Sequence, residues 1–402
     1  MKVPKYLNYC VFPAIILTLY SFAVAVPGTS PESEGAQTRF RVAAIIPLTG
    51  GNAEQGQWIQ NGLELAAARL QEQSGTSVDL RFEDSQGDPR QAVTAYTNIA
   101  AQGKPTAVIT WGSGVGLALT PKVNRDSVIQ IGVATATPDY RSEGDYTFRN
   151  FPSAELEAGF LVETLITRMA VARIGIVKIN NDYGLGSART FRDSFEKSGG
   201  EVVFDEEIEP NTTDFRSTLT KIKQKPVEYL YLALYPSEGA MFIKQARSIG
   251  LESKIIASTA LLGASAFFQI TGKASNNVMV ASSLPLYLQK RGEAVEQFYS
   301  AYEAKYGEPP GLQHVFAARA YDALLLLNQA YRDCDTRATS CIRDRLYAVR
   351  SYDGASGNLT FDSAGDVQTN FTLYKVANGR FEPATLPNAK SRYPVVVSNT
   401  TP

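Results

Sequence analysis

From Phe40 onward, apolar and polar positions fall into two alternating periods. Short β-branched runs predict strands over 41–46, 78–82, 107–110 and 128–133. Between them, apolar residues at helical spacing predict helices over 57–71, 89–101 and 115–124. Trp58, Leu63, Ala66 and Leu70 share neighbouring turns of the first of these helices, and a proline opens the second. A β-α-β-α-β rhythm of this kind predicts a parallel sheet with helices on both faces.

The rhythm restarts at Glu155. Helices are predicted over 155–169, 187–197, 214–223 and 239–249, and strands over 174–178, 202–204, 229–233, 254–258 and 278–281. Helical patterns follow over 293–305 and 314–330, and strand-like runs over 357–361 and 369–377. Two doubly wound α/β series joined end to end predict two similar lobes. Ligands of such sheets sit outside the C-terminal ends of the strands, so lobes that face each other would bind in the cleft between them.

The segment before this pattern reads as an address. Residues 1–25 carry Lys2 and Lys5, an apolar run from Cys10 to Val24, and the small residues Ala23-Val24-Ala25. This layout predicts a secretory signal peptide cleaved after Ala25. The apolar run is shorter than the roughly 20 residues needed to span a bilayer. A Pro/Ser/Glu/Gly-rich tether over 26–38 follows. Cleavage leaves Cys334 and Cys341, which are expected to close a small loop in an oxidising compartment. Two cysteines and the single His314 supply too few soft ligands for a metal site, so neither a metal nor a cofactor is expected.

Composition narrows the function classes. Of 402 residues, 39 are Lys or Arg and 40 are Asp or Glu, a net charge of −1. This balance argues against nucleic acid or an anionic membrane as main partner. His314 lies inside an apolar helical pattern, and no nucleophile–base pair is evident, so the chain leans toward binding over chemistry.

The candidate site residues cluster where strands hand over to helices. Trp111 and Ser113 lie in Thr110-Trp111-Gly112-Ser113-Gly114-Val115-Gly116. The glycines would let a backbone approach a ligand, and a helix N-terminus offers unpaired N–H groups to an anion. A glycine-rich turn of purely steric origin reads the same way, and both readings stand at this point. Position 111 is Trp rather than Gly, so Ser113 lacks the nucleophile-elbow spacing of a hydrolase. Ala134, Thr135, Ala136 and Thr137 end the next strand with small and hydroxyl-bearing side chains. Tyr183 and Tyr235 occupy equivalent strand-to-helix positions in the second series.

Taken together, Ile46-Pro47-Leu48-Thr49-Gly50, Glu83-Asp84-Ser85-Gln86-Gly87-Asp88-Pro89-Arg90-Gln91-Ala92, Asn181-Asp182-Tyr183-Gly184-Leu185-Gly186 and Gln245-Ala246-Arg247-Ser248-Ile249-Gly250 form a specific set. Over about residues 40–380 the chain resembles the type I periplasmic solute-binding proteins of the leucine/isoleucine/valine-binding kind. The resemblance implies two lobes joined by three crossovers and closing on a small solute. It implies a monomer that delivers this solute to the membrane permease of an ABC importer. The expected organisation is 39–150 plus 285–352 for the N-lobe, 151–284 plus 353–382 for the C-lobe, and 383–402 as a tail. It places Ser113 on the ligand carboxylate with Trp111 beside it, and 134–137 as the second N-lobe loop. Tyr183 and Tyr235 become the C-lobe tyrosines, and Phe316 lines the side-chain pocket.

One position departs from the family pattern. Leucine-type binders place a carboxylate for the ligand ammonium where this chain has Thr259. A buried ammonium without a counter-charge is costly. Either another acid, such as Glu238 or Asp182, takes over, or the ligand lacks an α-ammonium. The alternative function is a ligand-sensing module for amides or small acids, with a hydrolytic enzyme behind it.

Overall fold

The computed structural model describes residues 40–140, 144–262, 266–284, 292–307 and 311–386. The expected signal peptide, the tether and residues 387–402 of the expected tail lie outside them. Strand β1 (Arg41–Ile46) is buried from Val42 to Ile46, as befits a strand covered on both faces. Helix α1 (Ala53–Ser74), β2 (Asp79–Asp84), α2 (Pro89–Ala101), β3 (Ala107–Thr110), α3 (Ser113–Asp126), β4 (Ile129–Gly132) and β5 (Thr147–Arg149) follow. The strands form a parallel five-stranded sheet in the order β2-β1-β3-β4-β5. Helix α2 starts where the sequence predicts because Pro89 needs no N–H partner there. The Asp88 carboxylate accepts the amides of Arg90 and Gln91 at 2.7 and 2.9 Å.

The chain then crosses to a second lobe. It comprises α4 (Ala154–Glu163), prolonged by a π turn to Arg168, then β6 (Arg173–Ile179), α5 (Asp182–Lys197), β7 (Glu201–Ile208) and α6 (Arg216–Gln224). It continues through β8 (Tyr229–Ala233), α7 (Pro236–Ser248), β9 (Lys254–Ala257), α8 (Ala266–Thr271) and β10 (Met279–Ser282). Helix α5 begins five residues before the predicted 187, because Asn181 caps it by accepting the Gly184 amide at 2.9 Å. The chain returns as α9 (Glu293–Tyr306) and α10 (Val315–Arg332), which pack against α1 in the first lobe. After α11 (Thr339–Tyr347) come β11 (Tyr352–Gly354), β12 (Gly357–Phe361) and β13 (Val367–Gln368), a small antiparallel sheet. Finally β14 (Thr372–Ala377) and β15 (Arg380–Pro383) add antiparallel strands to the edge of the second sheet, whose order is β15-β14-β10-β9-β8-β6-β7.

The segment 353–368 departs from the expected boundary, which grouped it with the second lobe. Asp322 on α10 accepts the amides of Ala355 and Ser356 at 2.8 Å each, and the Ser356 hydroxyl at 2.5 Å. Phe361 sits edge-on against Phe148 of β5, with ring centres 5.5 Å apart. The buried Arg149 grips Asp366 through two bonds of 2.6 Å. These contacts hold 353–368 on the first lobe, and the third crossing falls at 369–371.

The other two crossings are held by the same helix. Arg319 is fully buried and sends one guanidinium nitrogen to the Asn150 carbonyl and another to Ser283 Oγ at 2.6 Å. Asn150 belongs to the first crossing and Ser283 to the second. Burial lowers the Arg319 pKa to about 10 despite the favourable charge of Asp322. Burial raises that of Asp322 to about 6 against the lowering effect of its three hydrogen bonds and Arg319. Farther along, Cys334 and Cys341 are joined by a disulfide between α10 and α11, with Cα atoms 5.9 Å apart.

Asp322→Ala leaves three buried donors and the Arg319 charge unmatched, so urea unfolding should show a loss of about 3–5 kcal/mol. Replacing Cys334 and Cys341 together by Ser should cost about 2 kcal/mol in the same assay, from the loop-closure entropy returned to the unfolded chain.

Candidate functional site

The first wall of the cleft is built where β3 hands over to α3. Trp111 is buried, and its indole N–H donates to Gln55 Oε1 at 2.6 Å, which fixes the ring at the C-terminal end of the central strand. Ser113 opens α3, and its Oγ accepts the amides of Ala136 and Thr137, both at 3.3 Å. This serine therefore aligns the loop after β4 against the start of α3. Because Oγ accepts in both bonds, its own hydrogen remains available as a donor. Thr137 Oγ1 is buried with no hydrogen-bond partner among the described residues. Such a group is costly unless something else satisfies it. The Thr137 carbonyl accepts from Arg149 at 2.6 Å.

Not every predicted residue meets this cluster. Thr135 turns inward, its hydroxyl donating to the Gly112 carbonyl at 3.4 Å, and Ala134 packs on the core. Ala136 is buried and contributes its amide to Ser113. Phe316, at the start of α10, stacks on Phe151 at 6.0 Å and is tied to the first crossing.

The opposite wall carries Tyr183 in the first turn of α5 and Tyr235 as N-cap of α7. Their rings stack at 5.1 Å and 11°, and Tyr235 lies 5.8 Å from Trp111 of the other lobe. An aromatic seam thus crosses the cleft. Burial raises both tyrosine hydroxyls, with Glu157 adding to the effect at Tyr183 and Glu238 at Tyr235, so both stay protonated. The Tyr183 hydroxyl shares a hydrogen bond with Ser258 Oγ.

Thr259 follows directly and bonds to an acid that sequence reading missed. Its amide and its hydroxyl both lie 2.6 Å from Glu157 Oε1, and the hydroxyl is also 2.9 Å from the Ala281 carbonyl. Glu157 belongs to α4 and is 5% exposed. Burial raises its pKa to about 7, partly offset by the two bonds from Thr259. No motif marks it, since 102 positions separate the pair in sequence. The available signal is an acid on a helix face shared with Ala154, Ala158 and Leu161, all buried. The two acids named from sequence are occupied differently. Glu238 accepts the Asn211 amide at 2.9 Å, and Asp182 is exposed, its carboxylate close against Gly114 of α3.

The lobes touch across the cleft. Arg189 of α5 pairs with Asp139 of the first lobe at 2.9 Å. A Cβ on Gly186 would lie 2.9 Å from Thr137 Oγ1 and 3.0 Å from Pro138, so only glycine permits this approach. His314 is buried. Its Nδ1 accepts the Gly311 amide at 3.1 Å, and its ring packs by Trp58 and Tyr302. Among the described residues, no group of three or more His, Cys, Asp or Glu could hold a metal ion.

Known proteins share this architecture. A Leu/Ile/Val-binding protein homolog of Brucella melitensis is 22% identical over 89% of this chain and 97% of its own length. A substrate-binding protein of a branched-chain amino acid transporter from Streptococcus pneumoniae, solved with isoleucine, superposes with a TM-score of 0.78 at 24% identity. That match covers 86% of this chain and 99% of the other. A solute-binding protein of an ABC transporter from R. palustris, solved with benzoate, gives 0.76 at 21% identity over 88% and 98% of the two chains. The model of the periplasmic binding protein family matches residues 39–380, and this chain belongs to that family.

Proposed function

We propose that this chain is the solute-binding component of an ABC importer, exported to the periplasm through a cleaved signal peptide. It takes a small carboxylate-bearing solute by lobe closure and presents it to a membrane permease as a monomer, without chemistry. The observation that carries this reading is the meeting of three features at one cleft. The α3 N-terminus offers amides and the Ser113 hydroxyl to an anion, the buried Thr137 hydroxyl awaits a partner, and Trp111, Tyr235 and Tyr183 offer an aromatic surface to an apolar body. A relative solved with isoleucine and one solved with benzoate agree with a carboxylate as the common element. Among the described residues no helix is long and apolar enough to cross a membrane.

Closure is driven only by contacts that the ligand makes better in the closed than in the open state. A thermal-shift panel of small carboxylates should therefore include members that raise the melting temperature, while their methyl esters do not. Gly186→Val, which puts methyl groups where Thr137 and Pro138 now sit, should weaken the affinity for any hit at least tenfold (about 1.4 kcal/mol) with the circular-dichroism spectrum unchanged. Equal binding of acids and esters would defeat the carboxylate reading.

A further inference from the structure

Among the described residues the buried acids are Glu157, Glu238, Asp322 and Asp366. Asp366 grips Arg149, Asp322 lies one turn from Arg319, and Glu238 caps the Asn211 amide. Glu157 meets Thr259, and no cation stands beside it among the described residues.

The hydrogens around Thr259 can be counted. Its Oγ1 lies within bonding distance of both Glu157 Oε1, at 2.6 Å, and the Ala281 carbonyl, at 2.9 Å. A threonine hydroxyl carries one hydrogen, and a carbonyl only accepts. Donated to Glu157, that hydrogen joins the Thr259 amide on Oε1; donated to Ala281, it leaves the short contact to Glu157 needing a hydrogen that the carboxyl supplies. The surrounding groups supply no compensating charge. Tyr183 on α5 and Tyr231 on β8 feel the Glu157 carboxylate, and burial already raises both hydroxyls, so both are neutral. On α4 itself, Glu155 is directed to Arg149 at 4.0 Å.

We propose that Glu157 carries a proton in the unliganded protein, so that the C-lobe wall is uncharged and the cleft selects carboxylates that lack an ammonium group. The inference deepens the solute-binding reading above and rests on it for the ligand's carboxylate. Glu157 is then the residue that sets the charge accepted on this wall, through Thr259. An ammonium-bearing solute would require the carboxylate form and would release the proton on binding. An ammonium-free acid keeps the proton in place.

The pH dependence separates the two. The group stays protonated below about pH 7 and ionises above it, so its protonated fraction falls about tenfold between pH 6 and 8. Affinity for an ammonium-free acid should fall by up to about tenfold over that interval, and affinity for an amino acid should rise by a similar factor.

The test uses the full mature chain and two probe pairs: leucine with 4-methylpentanoate, and phenylalanine with 3-phenylpropanoate. Infrared difference spectra between the unmodified protein and Glu157→Gln report directly whether the carboxyl is protonated at pH 6. Titration calorimetry in buffers of different ionisation enthalpy reports affinity and proton release. The expected result is a protonated-carboxyl band at pH 6 and tighter binding of the ammonium-free member of a pair, weakening toward pH 8. In Glu157→Gln the pH slope should vanish. If that variant does not fold, the band's disappearance on raising the pH of the unmodified protein, and its binding profile, decide alone. An ionised carboxyl at pH 6, or amino acids bound more tightly without proton release, overturns the proposal while leaving the carboxylate reading intact. No binding by any of the four overturns both.

Discussion

Two opposite charges, buried one turn apart on α10, hold together the chain that joins the lobes. Arg319 ties the first crossing to the second, and Asp322 fastens the segment leading to the third. Neither group would remain charged in such a place without its partners, because stripping a charge of water costs several kcal/mol. The Arg149–Asp366 pair adds a second pin, and its remaining nitrogen reaches the Thr137 carbonyl in the cleft loop. One side chain thus links the chain entering the first crossing to the loop after β4. All these anchors are held by side chains of the first lobe.

The cleft inherits its character from this frame. Strand ends deliver Trp111, Ser113 and Thr137 on one side, and Tyr183, Tyr235 and Thr259 on the other. The aromatic rings meet across the gap, whereas the ion pair that bridges the lobes, Arg189 with Asp139, lies at the exposed rim. Apolar surface and directional donors therefore dominate the interior. That pair is exposed, so screening keeps its contribution small.

Much of this was legible from residues alone, for physical reasons. Buried parallel strands such as β1 and β8 are continuous apolar runs, and α2 announces itself through Asp88 and Pro89. The cleft turns were legible because glycine and hydroxyl residues crowd at strand ends. The short strands β5, β11 and β13 were not, since two or three residues carry no period. Helix α11 was missed because its nine residues show only a weak apolar face, with Ile342 and Leu346 buried. The attachment of 353–368 to the first lobe depends on Asp322 and Arg149, whose partners lie 33 and 217 positions away. Glu157 escaped for the same reason. A long-range pair between an acid and a threonine leaves no local trace.

The disulfide has a consequence that follows from its place in the chain. Cys334 and Cys341 close a covalent ring that runs from just after α10 into the first turn of α11, both upstream of the third crossing and downstream of the second. The ring encloses no segment that passes between the lobes. It stiffens the end of the helix that carries Arg319 and Asp322 but places no tether across the cleft. Reducing it would loosen the end of that helix while cutting no covalent link between the lobes.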